Sequence, residues 1–374
     1  MTFDATGASV RYDGAIGDDR PNDVALNSDG SRIYTSGDDG NLRIYDADTG
    51  ALLQTVDVGN RLGAIDVSPD NSFLIAAELV PVAIHSAGGG YPTYTVAVYH
   101  VDLTTGAVTQ FNYESSYENY IFKDVAVLAD GQVLLTQAEP PGWSSWTQLR
   151  TLDLDTGAFT TVPNSPSITA GSFLQPGDNG QHVLVVDYNI SDAGLQMYES
   201  GTGVVADHSL YANNVSGFNW GIQAYTEEGN LVAQYVYGNG LHIYNEALEY
   251  QVNLFTARPE WQWGTVSGLA FDSSGQYLFV LDNETNAIVQ LSTADWSTVA
   301  TYDVDADVGG WSGGDYGNRL TVGPDMRYFT VVTDTGFIEV DNPAVSSTIT
   351  GTDGADDITG TGLFDQILGG AART

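Results

Sequence analysis

The chain has no cysteine in its 374 residues. Disulfide cross-links, thiolate metal sites and thioether-bound haem are therefore excluded. Basic residues are nearly as scarce: Lys and Arg total 11 against 48 Asp and Glu, for a formal net charge of -37, and Lys123 is the sole lysine. So negative a chain repels phosphate backbones and anionic lipid, which speaks against nucleic-acid and membrane partners. No apolar run approaches the roughly 18 residues that span a bilayer. The opening MTFDATGASV has neither a basic nor an apolar segment of a secretory leader. No stretch carries a sustained helical period, so an all-β chain is expected.

Catalytic motifs are also lacking. The five His (His85, His100, His182, His208, His242) form no H-x-x-x-H or H-E-x-x-H, and no G-x-S-x-G elbow occurs. Two explanations of the acid excess stand side by side: a solubility surface suited to salty water, and Ca²⁺ binding by oxygen ligands.

What is abundant is a repeated unit. Asp23–Gly59 reads DVALNSDGSRIYTSGDDGNLRIYDADTGALLQTVDVG. It holds four short apolar, β-branched or aromatic runs at 24–27, 32–36, 42–46 and 52–58, bounded by Gly, Asp, Asn and Ser. The turns Ser28-Asp29-Gly30 and Asp48-Thr49-Gly50 suit antiparallel reversals, because Asp, Asn and Gly accept left-handed backbone angles. The first turn recurs at 68–72, 128–132, 176–181, 226–230, 272–276 and 323–327. Its spacing of roughly 40 to 60 residues is that of propeller blades. The second recurs at 102–106, 153–157 and 199–203, then decays at 245–249 and 292–296.

The last unit supplies three strands (319–322, 328–333 and 336–341) and ends at Asn342-Pro343. Residues 8–17 (ASVRYDGAIG) look like the missing outer strand, which would close the ring and remove its exposed edge. Residues 345–350 are the competing closure. The expected architecture is a seven-bladed β-propeller of four-stranded blades over 1–343, a linker over 344–350, and a different segment over 351–374.

Arg20-Pro21-Asn22-Asp23-Val24-Ala25, with the Ser28-Asp29-Gly30 turn and Ile33-Tyr34, resembles the repeat of the bacterial YVTN and WD40-like propellers. The resemblance covers 8–343 and implies architecture, not activity, because such folds host binders, lactonases, lyases and quinoprotein dehydrogenases. In the tail, GTDGADDIT at 351–359 and GTGLFDQIL at 360–368 resemble the RTX (repeats-in-toxin) nonapeptide G-G-x-G-x-D-x-U-x. That resemblance implies Ca²⁺ held through Asp353, Asp356 and Asp365, with Ile358 and Ile367 inside a β-roll. It also implies export by type I secretion to the exterior or cell surface. Leu363 stands where the pattern wants Gly, and the alternative is a disordered Asp/Gly-rich tail.

Propeller topology puts both terse turns of each unit on one face and the long loops on the other. The long loops carry Tyr91, Tyr94, Trp143, Trp146, Trp220, Trp261, Trp263 and Trp311. Their flat rings suit sugar stacking or protein anchors, or else they pack between blades. Arg61 and Arg319 share the sequence Gly-Asn-Arg-Leu near the same rim. They suit anion binding, or Arg–Asp pairing between blades with Asp23, Asp66 and Asp124 as partners. Asp303, Asp305 and Asp307 form a D-x-D-x-D run that suits Ca²⁺, or else outward-facing strand positions. The expected function is a secreted or surface binding and assembly module, adhesin-like or part of a surface layer or filament. Its partner would be a glycan, a surface or another copy. The alternative is a lactonase-like hydrolase or lyase with a metal or acidic site at the channel mouth.

Overall fold

The computed structural model describes residues 10–15, 21–85, 90–115, 120–139, 145–163, 165–177, 180–187, 194–208, 218–226, 228–257, 266–304, 308, 318–324, 326–333, 336–342, 346–350 and 364–368. For 10–15, 218–221, 346–350 and 364–368 it describes the backbone alone.

Seven antiparallel sheets follow one another along the chain, each in simple up-and-down order. Blade one is Asp23–Leu26, Arg32–Ser36, Asn41–Asp46 and Leu52–Asp57. Blades two to six begin at Leu62–Val67, Ile121–Val127, Phe173–Pro176, Phe218–Thr226 and Val266–Phe271. These first strands are innermost and line the central channel.

The turns form for the reasons their sequences give. The Asp46 carboxylate accepts the N–H of Thr49 at 3.0 Å, and Gly50 donates to the Asp46 carbonyl at 2.8 Å. Asp102 and Asp153 repeat the arrangement with Thr105 and Thr156. Gly50, Gly106 and Gly157 have φ of 67°, 72° and 71°, which a side chain would strain.

Blade seven closes as expected. Val10–Ala15 pairs antiparallel with Gly336–Asp341, outside Leu320–Val322 and Tyr328–Val332. The competing strand goes elsewhere: Ser346–Thr350, expected as linker, pairs in parallel with Phe364–Leu368, and Ser346 stands beside Phe364, two nonapeptides further on.

The core is distributed rather than central. Each of the seven gaps between neighbouring blades holds its own apolar cluster. Among the described residues the smallest lies at the seam between blades seven and one, where Ile33, Tyr45, Ala47, Tyr328 and Phe337 meet. There Tyr328 also donates its hydroxyl to the Gly30 carbonyl at 2.5 Å.

Three features depart from the sequence expectation. A single helical turn, Leu254–Ala257, follows blade five, and it buries Leu254 and Phe255. The third strand of blade three is only Arg150–Asp153, because Trp146–Thr147 leaves the blade to pair with Ile168–Thr169. In blade two the third and fourth strands, Thr93–Asp102 and Val108–Ser115, run on past the sheet. A short strand, Ala83–His85, pairs with the upper end of the third.

Candidate functional site

The overrun of blade two builds a three-stranded flap on the long-loop face. His85 Nε2 and the Thr95 hydroxyl are 2.8 Å apart, and Thr95 donates to Glu114 Oε1 at 2.7 Å, so one polar chain links all three strands. The flap presents Ile84 and Tyr91, which are 65% and 68% exposed. In blade three, the ladder at Trp146–Thr147 presents Trp146, 60% exposed. In blade five, Tyr237 opens the turn between second and third strands on the same face. Large apolar side chains this exposed on one face, with Ile84, Tyr91 and Trp146 on neighbouring blades, have the makeup of an interaction surface.

The other expected aromatics divide. Tyr94 is buried and packs edge-on against Tyr120 at 5.0 Å, which is the packing alternative. Trp143, Trp261, Trp263 and Trp311 lie outside the described residues, and Trp220 lies in a strand known by its backbone. Ile84 lies just before the loop that carries Tyr91 and Tyr94, and its exposure depends on the short strand Ala83–His85, which the sequence does not announce.

The two arginines hold structure. Arg61 forms a bidentate pair with Asp38, Nε to Oδ1 at 2.7 Å and Nη2 to Oδ2 at 3.0 Å. Its own loop is anchored by the buried carboxylate of Glu78, which accepts the N–H groups of Asn60 and Arg61 and the Tyr99 hydroxyl. Arg319 is buried and donates to the Val308 carbonyl at 3.0 Å. Neither is presented as a free cation to an anion.

Asp23, Asp66 and Asp124 do join neighbouring blades, and among the described residues they do so through backbone N–H groups rather than arginine. Each carboxylate accepts the N–H of its successor in its own strand: Val24, Val67 and Val125. Each also accepts one from the next blade's inner strand: Ile65 at 2.9 Å, Val127 at 2.7 Å and Leu174 at 2.8 Å. The repeated dipeptide Asp-Val was the available sequence signal. These residues are only partly buried overall, yet protein surrounds their carboxylates so closely that desolvation prevails. It raises Asp23 to about 6 and Asp66 and Asp124 to about 7. Mutual repulsion adds to the rise at Asp66 and Asp124.

Among the described residues no group of three His, Asp or Glu side chains is arranged to hold a metal ion. Asp303 ends the outer strand of blade six, and Asp305 and Asp307 lie outside the described residues. So do Asp353 and Asp356, whereas Asp365 lies in the parallel tail strand.

The WD40 family (WD domain, G-beta repeat) matches residues 12–46, the closing strand and most of blade one. No curated protein sequence matches the chain. Among solved structures, a chain of hydrazine synthase from Kuenenia stuttgartiensis is similar at 13% identity and a TM-score of 0.61. The match covers 86% of this chain and 96% of that one. At that identity the likeness is one of fold alone, and 1538 solved chains share it.

Proposed function

We propose that this chain is a binding or assembly module of a secreted or cell-surface protein, adhesin-like or part of a surface layer or filament. It engages a glycan, a surface partner or another copy through its long-loop face. The observation that carries the reading is the exposure of Ile84, Tyr91 and Trp146 on neighbouring blades above a rigid ring. A ring held on a strand, as Trp146 is, loses little entropy on binding and offers a large flat contact.

The same reading gives the tail a Ca²⁺-dependent role. A parallel pair whose members lie two nonapeptides apart fits a coil in which each repeat supplies half a turn. The donor chemistry fits as well, since Asp353, Asp356 and Asp365 offer the hard oxygen ligands Ca²⁺ takes. Binding there would neutralise carboxylates that otherwise repel one another.

A glycan array and a pull-down from surface extracts, each run with Ca²⁺ and with chelator, test the reading. The expected result is a retained partner that Trp146→Ala and Tyr91→Ala release without lowering the melting temperature. Retention unaltered in both variants would remove the long-loop face from the function.

A further inference from the structure

Blade five breaks the repeat at its second turn. The residue after the turn's first position is Ala47, Leu103 and Leu154 in blades one to three, and Ser200 and Thr293 in blades four and six. In blade five it is Glu246. The backbone N–H groups of Ala47, Leu103, Ser200 and Thr293 donate to the carbonyls of Ser31, Ser72, Gln181 and Gln276, just before each second strand. Glu246 donates instead to the side-chain oxygen of Asn230 at 2.7 Å, and Asn230 is turned to a left-handed φ of 51°.

The result is a cleft of about 550 Å³ between blades four and five, on the short-turn face. One wall is apolar, from Met197, Val205 and Ala206. The rest is acidic and polar, with Asp207, Glu246 and His182. Glu246 Oε1 accepts the Tyr225 hydroxyl at 2.5 Å and lies 3.2 Å from His182 Nδ1. These contacts fix the carboxylate in place. Its Oε2, and the whole carboxylate of Asp207, have no hydrogen-bond partner among the described residues.

We propose that this cleft binds a cationic group carried on an alkyl stem, an ammonium or guanidinium. The apolar wall covers the methylenes and the two carboxylates take the charged head. The volume is that of an ordinary small-ligand pocket. A net charge of -37 favours cations at the surface generally, and in this cleft the apolar wall also makes room for a stem. The site is independent of the long-loop face.

Titration calorimetry of the full chain tests it with four probes: N-acetyl-lysine methylamide, N-acetyl-arginine methylamide, 1,5-diaminopentane and the neutral N-acetyl-norleucine methylamide. At least one cation should bind saturably, with Kd roughly millimolar, and the norleucine amide should not. Tighter binding of a capped amino acid would identify a partner's basic side chain as the ligand, and tighter binding of the diamine a free amine. Glu246→Gln and Asp207→Asn should each weaken the tightest cation about tenfold. Trp146→Ala should leave it unchanged. Asp207 sits on an exposed outer strand, so its variant reads binding even if Glu246→Gln perturbs folding. Equal binding of the norleucine amide, no binding by any cation, or unchanged affinity in Asp207→Asn overturns the proposal.

Discussion

The carboxylate of Asp66 accepts the backbone N–H of Val127 across the gap between blades two and three, at 2.7 Å. The bond by itself favours the charged carboxylate, but burial between the blades outweighs it and sets the pH dependence. Asp66 is raised to about 7, above its unfolded value, so its contribution is most favourable below the unfolded pKa and is lost as pH rises through 7. Asp66→Asn does not titrate. Relative to wild type it should be least stable near pH 4 and should gain roughly 2 to 4 kcal/mol by pH 8. Urea unfolding at both pH values measures the difference, and a constant offset would refute the assignment.

His242 has the opposite sign. It is buried between blades four and five, its ring nitrogens lack hydrogen-bond partners, and burial lowers it to about 4. The neutral form is the stable one. Stability from this group is present above the unfolded value near 6.5 and falls as pH drops towards 4. His242→Leu should therefore be near neutral or stabilising at pH 8, by up to about 1 kcal/mol, and should widen its advantage at pH 4.5. Melting curves at the two pH values check both parts.

Blades five and six touch backbone to backbone. A Cβ added at Gly275, where φ is 66°, would lie 2.3 Å from the Gly229 Cα. Gly275→Ala should cost at least about 2 kcal/mol in chemical unfolding, since both the angle and the space are wrong. Gly201→Ala has a similar φ of 72° but open space around it, so it isolates the angular cost and should lose about 1 kcal/mol.

Removing residues 1–17 would leave Gly336–Asp341 as an open edge beside the smallest of the seven clusters. The shortened chain should melt earlier and associate, as seen by size-exclusion chromatography. A monomer of unchanged melting temperature would contradict this.

For the tail, Ca²⁺ should slow amide exchange in Phe364–Leu368 and leave the blade strands unchanged, and Asp365→Asn should abolish the effect. Exchange indifferent to Ca²⁺ and chelator would count against the ion.

The blades were legible because their turns are local chemistry. Asp, Thr and Gly at fixed offsets fold the same way wherever they stand, and seven turns at a regular spacing define a ring. The closing strand was legible for the same reason, as the fourth member of a counted set. The flap and the cleft were not. Ala83–His85 becomes a strand only because Thr93–Asp102 overruns its sheet to receive it. Glu246 lines a cavity only because Asn230, sixteen residues earlier, takes its N–H. The Asp-Val dipeptides stood in plain view, but their partners Ile65, Val127 and Leu174 are backbone groups that no side-chain pattern marks.

Ring closure has a temporal side. Val10 pairs with Val340, so a strand near the start of the chain cannot find its place until nearly the last blade has been made. During synthesis it must wait, unpaired, while six blades assemble behind it. In that interval the blade-seven edge of a neighbouring molecule is an equally good template. Crowded nascent chains could thus exchange first strands and leave the ribosomes linked in pairs, with every native hydrogen bond made.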